Sequence, residues 1–179
     1  MKNQSSIEAS IKNLIREVPD FPNPGINFYD ITPVLQNGEV FMSLIQFIVD
    51  RYKDKSFDAV VAIEARGFIF GAPLASALGI SFVPVRKAGK LPSKTESHAY
   101  ALEYGEDCLE IHTDALENAK KVLIIDDLLA TGGTAKSTCE LIKKIGSQVA
   151  ECCFIIELNS LEGRKKLAPV SVFSLLQYD

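Results

Sequence analysis

An α/β fold with a mainly parallel central sheet is predicted by three observations. Short unbroken apolar runs, AVVAI at Ala59–Ile63 and KVLII at Lys121–Ile125, have the texture of strands buried on both faces. Segments of ten to twelve residues that read as helices follow such runs, the alternation that produces parallel strands with helices on both faces. With 179 residues, 47% of them hydrophobic and 23% charged, the composition is that of an ordinary globular chain. At that length a folded chain hides roughly 70% of the surface it would expose unfolded, so the core needs no disulfide or metal staple.

The elements follow in order. Ser5 and Glu8 form a capping-box pattern, and Ile7, Ile11, Leu14, Ile15 and Val18 recur at helical spacing, predicting a first helix. In DFPNPGINFYDITPVL, Pro22, Pro24, Gly25 and Pro33 argue against regular structure over most of the stretch. A loop that long in a compact domain is usually functional. Val40, Phe41, Leu44, Ile45, Ile48 and Tyr52 mark a second amphipathic helix. Strand Ala59–Ile63, helix Gly67–Leu78 and strand Ile80–Val85 come next. SHAYALEYGEDCLEIHTDAL alternates with period two around Gly105, predicting an inserted antiparallel hairpin. Strand Lys121–Ile125, helix Thr134–Ile145 and strands Val149–Ile156 and Val170–Leu175 complete the set. Neither repeats nor a linker interrupt the chain, so residues 1–179 are expected to form one domain.

Several function classes drop out on composition. Nineteen Lys and Arg against 23 Asp and Glu leave a net charge of −4, the wrong balance for a nucleic-acid binder. No apolar run approaches the roughly 20 residues of a membrane span, and MKNQSSIEAS lacks the apolar region of a signal peptide. Cys108, Cys139, Cys152 and Cys153 contain no C-x-x-C pair, so free thiols in a reducing cytoplasm are expected rather than zinc or disulfide chemistry.

The chemistry concentrates in VLIIDDLLATGGTA, Val122–Ala135. An apolar strand leads into two consecutive carboxylates, Asp126 and Asp127, and then through Ala130, Thr131, Gly132, Gly133 and Thr134 into a helix. In open α/β sheets the ligand crevice lies outside the carboxyl ends of the strands, where this loop must sit. Glycines let backbone approach an anion, and a helix N-terminus points N–H groups at it. The loop therefore reads as a phosphate cradle. It is not a Walker loop, and no G-x-G-x-x-G occurs. Acids beside a phosphate make chemical sense if the ligand also offers hydroxyls or a metal, as a ribose phosphate does.

Two acids followed by A-T-G-G-T after an apolar strand resemble the 5-phosphoribosyl 1-diphosphate (PRPP) motif of the type I phosphoribosyltransferases. DFPNPGINFYDITPVL, EARGFIFG, RKAGKLP, YALEYG and ELNSLEGRKKLAPVSVFSLLQYD are similar to the adenine phosphoribosyltransferases of that family, in the same order and over nearly the whole chain from about Phe21. The resemblance implies the type I fold, with a small hood at 1–36 (the N-terminal helix and a base-contacting loop) and a flexible catalytic loop and hairpin lid at 87–112. It also implies purine salvage: transfer of 5-phosphoribosyl from PRPP to adenine, giving AMP and diphosphate, with Mg²⁺, in a cytoplasmic homodimer. Rival expectations are a phosphoribosyltransferase for hypoxanthine, guanine or xanthine, and a PRPP sensor acting in transcription, for which the chain has no spare length or basic patch.

Residue roles follow from the same resemblance. Asp126 and Asp127 would hold the ribose hydroxyls, directly or through the metal's shell, and Ala130–Thr134 the 5-phosphate. Arg66, which taken alone could be plain helix-entry chemistry, would grip the diphosphate together with Arg86 and Lys90. By themselves Arg86, Lys87 and Lys90 are cations of a solvated loop, and facing a substrate with about five negative charges the three are expected to belong to a lid. Glu103 reads on its own as an exposed charge at a hairpin tip, and the resemblance makes it the acid/base that manages the purine's proton. Asn27, Phe28 and Leu128 would contact adenine, although Phe28 could equally be an apolar anchor. Tyr29 stands where several relatives carry Arg, so no role of that arginine transfers. Gly67 and Gly71 are expected to serve close packing, and His98 and His112 to be surface residues.

Overall fold

A computed structural model describes residues 4–102 and 105–179 as two compact units, Met1–Asp54 and Lys55–Asp179. In the first, helix α1 (Gln4–Lys12) packs on α3 (Gly38–Tyr52), with Ile7, Ile11, Leu44, Ile48 and Tyr52 buried. Helix α1 ends well before Val18, which lies instead in β1 (Arg16–Val18), antiparallel to β2 (Phe28–Asp30). Ser5 sits inside α1 rather than at a cap, and Glu8 accepts a 2.7 Å hydrogen bond from the Gln4 amide. The proline-rich stretch is less irregular than its composition suggests. It contains β2 and the short helix α2 (Thr32–Gln36), whose first turn accommodates Pro33 because the missing N–H there has no helical acceptor to lose. Asn37 caps α3 by accepting from the Val40 N–H at 3.1 Å.

The second unit opens with β3 (Ala59–Ile63), buried at all five positions, followed by α4 (Gly67–Leu78) and β4 (Ser81–Lys87). Strands β5 (Thr95–Leu102) and β6 (Gly105–His112) form the antiparallel hairpin. Then come β7 (Lys121–Leu129), α5 (Gly133–Lys144), β8 (Gln148–Leu158), a 3-10 turn at Asn159–Leu161, α6 (Gly163–Leu167) and β9 (Ser171–Tyr178). Among the described residues the sheet runs β5-β6-β4-β3-β7-β8-β9, parallel from β4 to β9. The hairpin is not a detached insertion: β6 pairs antiparallel with β4 through Arg86↔Glu110 and Lys87↔Leu109, so it extends the sheet.

Strand alternation assigns the helices to opposite faces. A Cβ at Gly71 of α4 would lie 2.6 Å from Ala62 Cβ and 3.0 Å from Ile125 Cγ2, so α4 lies against Ala62 and Ile125 and admits no side chain there. Their neighbours Val61 and Ile124 face the other way, into a cluster with Ala135, Cys139, Leu141 and Ile142 of α5. Cys152 joins that cluster, and no disulfide is formed: all four cysteines are free. No described helix is long and apolar enough to cross a membrane.

Candidate active site

The sheet order creates the crevice. From the central β3 the chain crosses to β4 on one side and later, from β7, to β8 on the other, so the direction of winding reverses between β3 and β7. Ligands of open α/β sheets bind at such a reversal, beyond the carboxyl ends of the strands. Strand β7 continues four residues past its last pairing with β3, Ala62↔Ile125, and remains bonded to β8 as far as Leu129↔Glu157. Asp126 and Asp127 therefore lie within a strand and not after its end, at the point where β3 has turned away. A cleft of about 400 Å³ opens there, lined by Glu64, Arg66, both aspartates, Leu128 and the whole Ala130–Thr134 loop. Roomier grooves in the N-terminal unit bring no such set together.

The two acids have different surroundings. Asp127 is 6% exposed and ion-paired with Nε of Arg66. Asp126 accepts the Asp127 N–H at 2.9 Å. Burial pushes the Asp126 carboxyl well above the ordinary carboxylate range, and the adjacent Asp127 charge adds to the push. Gly67 lies close behind: a Cβ there would be 2.9 Å from the Ile125 carbonyl oxygen and 3.0 Å from Asp126 Oδ1, which accounts for the glycine by packing.

The cradle is shaped from behind. Gly132 precedes α5 with φ +78°, a left-handed conformation that glycine adopts without a Cβ penalty. A Cβ on Gly132 would sit 2.6 Å from the Gly163 carbonyl oxygen, and one on Gly163 only 2.1 Å from the Ala130 carbonyl oxygen. The loop's back is therefore seated on the first residue of α6, backbone against backbone. On its open side, the first turn of α5 presents N–H groups that have no intrahelical acceptor, with the positive end of the helix dipole.

The predicted cations are distributed otherwise than expected. Arg66 lines the cleft, but Arg86 and Lys90 do not. Arg86 grips Glu64 through Nε (3.2 Å) and Nη2 (3.0 Å) and donates to the Lys90 carbonyl at 3.0 Å. That guanidinium holds Glu64 below its ordinary carboxylate range in spite of partial burial. The cation that does line the cleft beside Arg66 is Lys87, with Nζ 3.1 Å from Asp107 Oδ2. Lys87 is one of the three cations the sequence offers to the substrate, whereas Glu64, Tyr100 and Asp107, which also line the cleft, have no role in the sequence reading. Their only signal is position: Glu64 follows a strand end, and Tyr100 and Asp107 face each other across the hairpin register. His98 is a correction as well, since it is half-buried with Nδ1 3.0 Å from Ser137 Oγ rather than a surface residue. Half-buried His112 likewise has its Nε2 shielded from solvent.

Three expected residues stand apart from this description. Glu103 lies outside the described residues. Asn27 and Phe28 belong to the N-terminal unit, where Asn27 Nδ2 donates to Glu17 Oε2 at 3.0 Å and the Phe28 ring meets Phe21 edge-on at 5.2 Å.

Comparison with known proteins points the same way as the cleft. Residues 30–178 match the phosphoribosyl transferase domain family. The adenine phosphoribosyltransferase of Desulfitobacterium hafniense is 55% identical over 164 residues, covering 92% of this chain and 95% of its own. A crystal structure of the adenine phosphoribosyltransferase from Thermoanaerobacter pseudethanolicus superposes with a TM-score of 0.91 at 50% identity, covering 96% of this chain and 99% of that one. The Saccharomyces cerevisiae adenine phosphoribosyltransferase, solved in complex with an imino-altritol bisphosphate and adenine, gives 0.90 at 40% identity, covering 96% and 99%.

Proposed function

The chain belongs to the adenine phosphoribosyltransferase family, and from that premise we propose how the cleft performs the family's reaction. The reaction is transfer of the 5-phosphoribosyl group from PRPP to N9 of adenine, releasing AMP and diphosphate. The observation that carries the reading is the meeting of the Asp126–Asp127 pair, the Ala130–Thr134 loop and Arg66 in one cleft.

Each part has a task that its chemistry suits. The N–H groups at the start of α5, with the Thr131 and Thr134 hydroxyls, hold the 5-phosphate. Asp126 and Asp127 accept the ribose 2- and 3-hydroxyls, so the sugar is fixed between its two ends. Arg66 has five N–H donors, enough to serve Asp127 and a diphosphate oxygen together. Arg86 and Lys90 reach the diphosphate when the 87–112 segment closes; for Arg86 this means exchanging its Glu64 partner. Leu128 offers the base an apolar wall at the cleft, and the family resemblance gives Asn27 and Phe28 contacts to adenine as well. Glu103 manages the N7 proton of the purine, a contribution that for a positioned acid/base is typically ~10²- to 10⁴-fold. Orientation and electrostatic stabilisation of the leaving diphosphate supply the rest of the catalysis.

Mg²⁺ fits this donor set. Asp126 and Asp127 place hard carboxylate oxygens side by side in the cleft, and among the described residues no group of three or more His, Cys, Asp or Glu forms a closed cage. That suits an ion held by one or two carboxylates and substrate oxygens. Asp126 and Asp127 would hold it, and when bound it would neutralise diphosphate charge. A homodimer and a cytoplasmic location complete the reading; the buried free thiols of Cys139, Cys152 and Cys153 accord with a reducing compartment. The test is product formation from PRPP and Mg²⁺ with adenine, hypoxanthine, guanine and xanthine as separate acceptors. AMP from adenine alone is expected. Preferred use of another base would overturn the purine assignment, and PRPP binding without transfer would overturn the enzymatic one.

A further inference from the structure

One cleft-lining side chain, Tyr100, has no part in the mechanism above, although it touches the cradle. Its phenolic oxygen accepts a hydrogen bond from Thr134 Oγ1 at 3.3 Å. The same phenol donates to Asp107 Oδ2 at a long 3.5 Å, and Asp107 is ion-paired with Lys87. Side chains on β4, β6, β5 and α5 are thereby joined in a line that ends on a hydroxyl of the phosphate loop, and all four line the cleft.

The placement is set by more than one contact. Alternate residues of β5 meet α5 along its length: Tyr100 meets Thr134, His98 meets Ser137 at 3.0 Å, and Glu96 accepts from Lys144 Nζ at 3.1 Å. Period-two alternation puts Glu96, His98 and Tyr100 on one face of the strand, so docking the hairpin on α5 fixes where the phenol falls. Ser137 also returns a bond to the His98 carbonyl at 3.2 Å, closing that contact in both directions. Tyr100 is half-buried, and burial pushes its phenol above the ordinary tyrosine value, so it stays a neutral hydroxyl able to accept and donate at once.

We propose that Tyr100 is a positioning residue for PRPP, acting through Thr134: when the Thr134 hydroxyl turns its single proton to the 5-phosphate, the phenol gives up its long bond to Asp107 and donates to Thr134 Oγ1 instead, holding that hydroxyl at the mouth of α5 in the orientation the phosphate requires. The inference rests on the PRPP reading of the cleft and deepens it. Thr134 is held from the hairpin side, so the state of the hairpin is felt at the cradle. An unsupported Thr134 would rotate and lose part of its bond to the phosphate.

The test is a double-mutant cycle with Tyr100→Phe, which removes one oxygen and keeps the ring, and Thr134→Val, which removes the hydroxyl at nearly constant shape. KM and kcat are measured for PRPP and adenine, with melting temperatures alongside. In Tyr100→Phe, KM for PRPP should rise about tenfold, the equivalent of one neutral hydrogen bond. The kcat and the KM for adenine should stay near wild type, a split that a merely structural loss would not give. The double variant should be no worse than Thr134→Val alone, because the phenol has nothing left to position. An unchanged KM for PRPP in Tyr100→Phe would overturn the proposal, as would effects that multiply in the double variant. A wild-type protein that does not bind PRPP would instead overturn the reading beneath it.

Discussion

Gly163 is the most exacting test of how the cradle is built, since it lies outside the loop and contributes no side chain. A Cβ added there would stand 2.1 Å from the Ala130 carbonyl oxygen and 2.9 Å from the Gly132 nitrogen, both backbone atoms. Contacts below 3.0 Å cannot persist, so Gly163→Ala must part the two segments by about 1 Å. Gly163 does not have a positive φ, and the substitution acts through this contact alone. Overpacking of this kind costs about 1–3 kcal/mol, which for a chain of this size lowers the melting temperature by roughly 2–12 °C. The kinetic effect should be larger. The displaced Ala130 and Gly132 belong to the loop assigned to the 5-phosphate, and a misplacement of ~1 Å can cost about a hundredfold. Initial rates against PRPP at saturating adenine, with scanning fluorimetry on the same samples, read both numbers. Wild-type values in both assays would refute the packing argument. A lowered melting point with an unchanged KM for PRPP would refute the assignment of this loop to the phosphate.

Three further outcomes are expected. Gly38→Ala should stabilise the protein by about 0.5–1 kcal/mol, because a Cβ there meets nothing within 4 Å and Gly38 lies in α3, where alanine loses less entropy on folding; a lowered melting temperature would count against it. Asp127→Asn should cut kcat/KM for PRPP by about a hundredfold or more, in keeping with the loss of a charged partner at a reacting site, while leaving the fold intact. Parallel losses of stability and activity would refute the role given to Asp127. Glu157 is 3% exposed and, despite burial that pushes its pKa up, the Arg164 guanidinium holds it below its ordinary 4.5. A depressed carboxylate contributes stability that is fully present above that ordinary value and is lost as pH falls through the folded-state pKa. The melting-temperature gap between wild type and Glu157→Gln should therefore shrink as pH drops below 4.5, and a constant gap would disprove the link.

How much could be read without the structure depends on the range of the interaction concerned. Sequence pattern alone located β3 and α4 to the residue, because a five-residue apolar run and a longer, mostly apolar run between Gly67 and Gly79 are local signals. It failed between Leu14 and Gln36. There helical spacing over Val18 lost to pairing with β2, and Pro33, taken as a breaker, proved to be compatible with a helix's first turn. The two acids and the A-T-G-G-T loop were legible as a phosphate and hydroxyl site because contiguous residues form them.

Other features needed the chain to be folded. The aspartates lie inside β7 because β8 goes on pairing with it after β3 has turned away, a matter of relative strand length that no segment carries by itself. Arg86 appears in sequence as a cation beside the site, and only the approach of Glu64, 22 positions earlier, shows it engaged. Gly132 looked like a residue opened for an anion. Its close neighbour is Gly163, 31 positions away, and neither glycine can be explained until both backbones are in contact. Composition, periodicity and contiguous motifs thus determined the class of fold and the chemistry of the loop. Which cations face the cleft, and what holds its loop in place, was decided by tertiary structure, since those properties belong to pairs of residues that the chain brings together only on folding.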